Sequence, residues 1–322
     1  MDYIKIKGLE KPISKMIFGT AWLGPEQKDV VDEQLSRYIE MGGNLIDTGK
    51  YYNGGKTETY LKGWIKEFPD LREKVMFTNK GCHYYVDENN LHHPETPRVS
   101  VECIKEDLEF SLSNLGLDHI DIYMLHRDNE EVPVGPLFDT LEKYRLEGKI
   151  TTYGVSNWSI NRIKEAIKYC KGKGYQGISV NSCSYSLCTA ARPRWSGTVY
   201  ATDEYAKKCC DLGVTILSWG SQGGGFFGNY PFPKGKRVDK DFQEAFGNLD
   251  NFEKFRRAKE LAKQKGVSMT NISYAYIFNQ GLDIGGIVGT RTIDELNNSF
   301  IGLDLKLTPK EVEYLSLRSD NL

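Results

Sequence analysis

Three residues able to hold or move a proton fall at the ends of apolar runs that read as buried strands, and a fourth stands in the loop after one of them. Asn44-Leu45-Ile46-Asp47-Thr48 carries a carboxylate into such an end, and Val75-Met76-Phe77-Thr78-Asn79-Lys80 delivers an ammonium in the same way. Ile120-Asp121-Ile122-Tyr123-Met124-Leu125-His126 finishes on an imidazole. Five positions after Asp47 a phenol, Tyr52, stands beside the turn Asn53-Gly54-Gly55. Each residue alone has an ordinary explanation: a helix cap, a snorkelling rim charge, a core histidine with its bonds satisfied. Together, at equivalent ends of three adjacent strands, they form a convergent polar group suited to acid–base chemistry in a pocket. In a parallel barrel the carboxyl ends of the strands carry the chemistry, so charges there weigh more than charges on a helix.

The elements that must position these groups can be read as eight apolar, β-rich runs. They cover 16–20, 44–48, 75–80, 120–126, 150–155, 178–183, 214–219 and 284–289, with helical patterns between them at 29–41, 101–115, 137–146, 160–170, 203–212 and 271–279. Alternation of this kind makes a parallel sheet, and eight is the count at which such a sheet closes into a barrel. The expected fold is therefore α/β, a (β/α)8 TIM barrel forming one domain over residues 1–322. An open doubly wound sheet is the rival, but Phe18-Gly19-Thr20-Ala21-Trp22-Leu23-Gly24 has the wrong spacing for a dinucleotide-binding glycine turn. Three segments stand outside the repeat: an aromatic, glycine- and proline-rich loop at 221–246 after the seventh strand, and helices at 251–265 and 309–317. Long loops in compact domains are usually lids or binding loops.

Composition removes several function classes. A formal net charge of −2 without runs of like charge gives no field for a phosphate backbone, so nucleic acid is not an expected partner. No window approaches the roughly 20 apolar residues that span a bilayer, and the first residues lack a signal-peptide core, which points to a cytoplasmic protein with no membrane partner. Seven cysteines without CxxC spacing indicate free thiols rather than a disulfide framework or a zinc site. Oligomeric state cannot be read.

The spacing of Asp47, Tyr52, Lys80 and His126 resembles the tetrad of the aldo-keto reductase family. Lys149-Ile150-Thr151-Thr152-Tyr153-Gly154-Val155-Ser156-Asn157-Trp158 resembles that family's fifth-strand signature, and Ile287-Val288-Gly289-Thr290-Arg291-Thr292 its phosphate-binding loop. Membership implies a barrel that binds a nicotinamide dinucleotide in extended form without a Rossmann motif, and that reduces an aldehyde or ketone to an alcohol. A hydride reaching a carbonyl carbon leaves charge on the oxygen, so a proton donor and a positive field are needed there. The resemblance makes Tyr52 the general acid and Lys80 the cation that lowers a phenol pKa of about 10. Asp47 would hold Lys80, and neutral His126 would orient the carbonyl. Tyr51, four positions from Asp47, has the wrong spacing.

The same resemblance implies cofactor contacts at Gly19 and Thr20 and at the carboxamide-binding pair Ser156 and Asn157. It adds Ser182, where the family usually shows glutamine, and Trp219 under the ring. Gly220 and Ser221 would lie near the pyrophosphate. Gly289, Thr290, Arg291 and Thr292 make a basic, hydroxyl-rich seat for a 2′-phosphate, favouring NADP. Glu295 would either bond the ribose hydroxyls of NAD or pair with the Arg291 guanidinium. For the small carbonyl substrate, Trp22, Tyr51, Trp158, Trp195, Phe226 and Phe227 are candidate pocket walls that would suit a sugar or polyol-derived carbonyl. The runs 192–197 and 218–227 resemble a bacterial-type subgroup of undefined substrate. Two other functions fit parts of the pattern: a Schiff-base aldolase using Lys80, and a cofactor-binding regulatory subunit that senses redox state.

Overall fold

The computed structural model describes residues 1–89, 91–229 and 240–322. Its centre is a closed barrel of parallel strands: β1 (Met16–Gly19), β2 (Leu45–Asp47), β3 (Met76–Gly81), β4 (Ile120–Leu125), β5 (Ile150–Ser156), β6 (Val180–Ser184), β7 (Thr215–Trp219) and β8 (Ile284–Val288). Each strand lies beside its chain neighbour, and β8 closes on β1 through Gly286, Ile287 and Val288 paired with Met16, Ile17 and Phe18. All eight predicted runs became these strands, each within two residues of its expected bounds. The reason is physical: both faces of a barrel strand are buried, so continuous apolar runs rather than alternation mark them.

Inward residues Ile17, Leu45, Ile122, Met124, Val180 and Leu217 form one cluster. The N-terminal hairpin, Tyr3–Ile4 paired with Ile13–Ser14, adds Ile4, Ile6 and Ile13 to it and stops the barrel at the amino ends of the strands. Outward residues such as Met16, Phe18, Phe77 and Tyr153 meet the helices in a second, larger core. With the amino end plugged, the carboxyl end is the mouth where strand ends can meet a ligand.

The surrounding helices are α1 (Lys28–Glu40), α2 (Lys56–Glu67), α3 (Val101–Leu115), α4 (Val134–Leu146), α5 (Ile160–Lys173), α6 (Asp203–Asp211), α7 (Met269–Phe278) and α8 (Ile293–Asp304). Side-chain oxygens at Ser100, Ser159, Thr202, Ser268 and Thr292 accept the first free N–H groups, and left-handed Gly116 and Gly174 end α3 and α5. Helix α2 is absent from the predicted set although its pattern was readable: Thr57, Tyr60, Leu61 and Trp64, buried at one, four, five and eight along a helix, form a single stripe. The insertion helices lie at Leu249–Lys265 and Pro309–Leu315, close to expectation. The expected loop at 221–246 is partly helical, with turns at Gly223–Gly225, Phe226–Asn229 and Lys240–Phe246; its residues 230–239 lie outside the described residues.

Strands β5 and β6 approach so closely at Gly154 that a methyl group there would stand 2.4 Å from both the Val180 carbonyl oxygen and its Cγ2. A backbone oxygen cannot swing aside. Gly154→Ala is therefore expected to destabilise the barrel by about 1–3 kcal/mol, read as a lower urea midpoint at unchanged slope. An unaltered midpoint would show that the strands can part without cost.

Candidate active site

Adjacent strands bring the four residues together. Asp47 ends β2 and Lys80 is the penultimate residue of β3, both only 2% exposed, while His126 follows β4 directly at 9%. The loop after β2 reverses through Asn53, Gly54 and Gly55, all at positive φ, and so returns the Tyr52 phenol over the strand ends. Lys80 Nζ donates to Asp47 Oδ1, to the Tyr52 hydroxyl at 2.9 Å and to the Thr48 carbonyl at 3.3 Å. Thr78 Oγ1 donates to the same Asp47 oxygen at 2.6 Å, and the Tyr52 hydroxyl lies 3.3 Å from Asp47 Oδ2. The His126 ring packs edge-on against Tyr52, with centroids 6.0 Å apart.

The electrostatics assign a proton state to each group. Burial raises the Tyr52 pKa and the Asp47 charge adds to this, so that despite Lys80 the phenol is pushed up to about 12. This corrects the expectation that the lysine would lower it: Lys80 does act in that direction, but desolvation and the carboxylate outweigh it. For Lys80 itself burial opposes the charge, yet Asp47 and Tyr52 hold the proton on and its pKa stands above the usual value. His126 is driven well below the usual imidazole range by burial first, then by charges that include Arg127 and Lys80. The site therefore holds a protonated phenol, a permanent ammonium and a neutral imidazole whose Nδ1 is buried without a partner.

Tyr51 points elsewhere. Its hydroxyl accepts from Arg98 Nη1 at 2.8 Å, and Arg98 is gripped by both oxygens of fully buried Asp107 at 2.9 and 3.0 Å. Lys50 joins the same carboxylate.

The residues proposed for a cofactor divide by what their side chains already do. Thr20 Oγ1 donates to the Asp47 carbonyl at 2.7 Å, and Gly19 is small because Ile287 Cγ2 would stand 2.7 Å from a methyl group there. Ser156 Oγ donates to the Ser182 carbonyl at 2.8 Å. Asn157, at φ 63°, donates to Ser156 Oγ at 2.9 Å and accepts from the Val199 N–H at 3.1 Å and Trp219 Nε1 at 3.3 Å. Ser182 Oγ, by contrast, is buried with no partner. Trp219 is half-buried between Trp195 and Tyr200, Gly220 adopts φ 65°, and Ser221 Oγ donates to the Ile287 carbonyl at 2.6 Å. After β8, Gly289, Arg291 and Thr292 are exposed, whereas Thr290 is buried against Gln34. Thr292 caps α8, and Glu295 accepts from the backbone N–H of Arg291 at 2.7 Å. Of the two roles open to Glu295, the pair with the guanidinium is replaced by this backbone contact, and the Arg291 side chain has no carboxylate partner among the described residues.

The aromatic residues separate as well. Trp158, Phe226 and Phe227 are at most 1% exposed and belong to the core beneath the helices, so they offer no exposed ring to a sugar or polyol. Trp22 and Tyr51 are partly exposed, and Trp195 is 48% exposed against Trp219. The sequence reading missed His83, Tyr84 and Arg127. His83 lies 4.7 Å from the His126 ring and 5.6 Å from Tyr51, and Arg127 stands over the Tyr84 ring at 5.1 Å. Their signals were the histidine and tyrosine that follow the third strand, shortly after Lys80, and the arginine directly after His126. No helix among the described residues is long and apolar enough to cross a membrane.

Fold and site together define a (β/α)8 oxidoreductase. The chain belongs to the aldo/keto reductase family, whose profile matches residues 15–317. It is 27% identical over 313 residues to the Schizosaccharomyces pombe protein named aldo-keto reductase yakc, NADP(+), covering 94% of this chain and 86% of that one. Norsolorinic acid reductase stcV of Emericella nidulans is 25% identical over 319 residues, covering 93% and 75%. Among solved structures, a thermostable aldo-keto reductase in complex with the inhibitor epalrestat matches with a TM-score of 0.73 at 21% identity, over 99% of this chain and 100% of that one; this likeness supports the fold.

Lys80→Met tests the ion pair at the mouth. It strands a buried carboxylate, so unfolding free energy should fall by about 3–5 kcal/mol. Without the ammonium the phenol's pKa should rise further, moving the alkaline limb of alcohol oxidation upward and cutting turnover by orders of magnitude. An active variant with an unchanged profile would remove Lys80 from the chemistry.

Proposed function

We propose that the protein reduces an aldehyde or ketone to the alcohol with NADPH, with Tyr52 as the general acid. The observation that carries this reading is the 2.9 Å contact between Lys80 Nζ and the Tyr52 hydroxyl, beside a neutral His126. When bound, the reduced nicotinamide supplies the hydride. Tyr52 gives its proton to the carbonyl oxygen as charge develops there, and Lys80 stabilises the phenolate that remains. Asp47, itself held by Thr78, keeps the ammonium in position. His126, uncharged and with a free ring nitrogen, orients the carbonyl by a hydrogen bond rather than a charge.

Several features fit a dinucleotide. The orphan Ser182 hydroxyl is a ready partner for a carboxamide, the half-buried Trp219 ring offers a stacking face, and exposed Arg291 offers a free fork for a phosphate. NADP(H) is favoured over NAD(H) because Glu295 faces a backbone N–H. An aldolase would require Lys80 as a free amine, whereas its raised pKa and contact with Asp47 keep it charged. The regulatory reading has no specific observation in its favour. The sugar or polyol substrate loses Trp158, Phe226 and Phe227 from its supporting walls.

Tyr52→Phe should abolish reduction of aldehydes in single-turnover assays while NADPH titration stays nearly unchanged, and Tyr51→Phe should be mild. Wild-type turnover in the Tyr52 variant would overturn the assignment. The pH profile has a definite sign. A general acid works while protonated, and with its pKa near 12 Tyr52 keeps its proton across the neutral range, while His126 is already neutral. The kcat/KM for reduction should therefore be flat from about pH 6 to 9, and a limb near 6.5 would mean that charged His126 takes part. Finally, charge-assisted contacts of about 1.5–3 kcal/mol each predict a roughly ten- to hundredfold preference for NADPH over NADH. Arg291→Ala should erase most of it; an unaltered ratio of Kd values would place the phosphate seat elsewhere.

A further inference from the structure

Arg127, which follows His126 directly, is a buried charge with no carboxylate partner among the described residues. Three arginines are buried among the described residues, Arg127 at 8%, Arg162 at 5% and Arg257 at 6%. Arg162 pairs with Asp128 at 3.2 Å and Glu165 at 2.9 Å, and Arg257 with Glu253 and Asp320, both at 2.7 Å. Arg127 has no carboxylate within ion-pair distance among the described residues. Its Nη1 donates to the His126 carbonyl at 2.9 Å, and its Nε is buried with no partner. Tyr84 lies under the guanidinium, and Gly197 sits against its stem, 3.2 Å from Cδ to the place a methyl group would take. The side chain is thus held in place.

Ring contacts place it beside the reacting groups. Tyr84, 5.1 Å from the guanidinium, packs 3.8 Å from His83, whose ring lies 4.7 Å from His126, and His126 in turn lies 6.0 Å from Tyr52. Arginine does not shed its proton when buried, and a desolvated charge without a counter-ion is costly. A charged guanidinium that meets the His126 carbonyl and the Tyr84 hydroxyl but no carboxylate, with its Nε unpartnered, is arranged for an anion that arrives with the substrate.

We propose that Arg127 is a specificity-determining residue and that the carbonyl substrate carries an anionic group, carboxylate or phosphate, which completes its unpaired fork. The proposal rests on the carbonyl-reduction reading of this mouth. It directs the anion to the His126 and His83 side, opposite in role to Arg98, whose fork is already closed by Asp107.

Steady-state reduction with NADPH should be compared for 4-oxobutanoate against butanal and for glyceraldehyde 3-phosphate against glyceraldehyde. The wild type should favour the charged member of at least one pair about ten- to hundredfold in kcat/KM, chiefly through KM, and the favoured pair tells carboxylate from phosphate. Arg127→Met should reduce that charged-to-neutral ratio about tenfold or more, and Arg127→Lys should restore part of it. Calorimetric binding of butyrate, inorganic phosphate and neutral butyramide gives a readout independent of turnover. Reduction of neutral aldehydes with no preference for either anion overturns the proposal and leaves the carbonyl chemistry standing. So does an Arg127→Met variant that loses charged and neutral substrates in equal proportion, which would make the arginine a support for His126. If no aldehyde is turned over while an anion binds in an Arg127-dependent way, the reduction reading fails and the anion site stands.

Discussion

The buried ion pair of Lys80 and Asp47 is the constraint on which the mouth of the barrel depends. An ammonium that is 2% exposed survives only with a carboxylate at hand, and a carboxylate equally buried survives only with donors on its oxygens. Adjacent, in-register strands meet both conditions, since Asp47 of β2 stands opposite Thr78 of β3 and Lys80 lies two residues further along the same strand. Once the pair is formed, the two remaining Nζ hydrogens reach the Thr48 carbonyl and the Tyr52 hydroxyl. The three positive-φ residues of the loop bring that phenol into place. Two of the three are glycines, which adopt positive φ at no steric cost, so the residue types themselves permit this turn.

From this pair the protonation pattern of the mouth follows outward. The Lys80 charge helps keep His126 neutral, and Arg127 acts in the same direction on both His126 and His83. His83, pushed down to about 3 chiefly by burial, is uncharged as well. Neighbouring tyrosines meet different fates for the same reason. Tyr52 faces a carboxylate already occupied by a lysine, while Tyr51 is fixed by an arginine that Asp107 has neutralised. Hydrogen-bond partners, more than position in the chain, decide which phenol meets the buried lysine and which is tied to an arginine.

What could be read from residues alone was whatever depends on type and local run. Continuous apolar stretches identified all eight strands because burial on both faces leaves no alternation to confuse; Asp47, Lys80 and His126 stood out because they ended such stretches, and Tyr52 by its spacing from Asp47. Quantities set by packing across the fold were not legible. Trp158, Phe226 and Phe227 looked like pocket aromatics, but whether a ring faces a cleft or a helix depends on elements far away in the chain. The net pKa of Tyr52 is a difference between desolvation, which needs the folded surroundings, and one visible lysine. The hydroxyls of Thr20, Thr290 and Thr292 looked free for a ligand, yet each was already engaged by a neighbouring strand, helix or cap. Arg127 was passed over because an arginine in a loop is unremarkable until its carboxylate is sought and not found.

The raised pKa of Tyr52 also gives the site a direction. In the proposed chemistry, reduction starts from a phenol and oxidation from a phenolate. Burial and the Asp47 charge both penalise the phenolate, and Lys80 offsets them only in part. The resting mouth is therefore a proton donor, held ready without reorganisation when negative charge appears on a substrate oxygen. Running the reaction backward first requires removing a proton that the surroundings retain. The same low-dielectric enclosure that strengthens the Lys80 field on the developing oxyanion thus sets the cost of the reverse step, and the two cannot be tuned apart while Asp47 and Lys80 remain buried together.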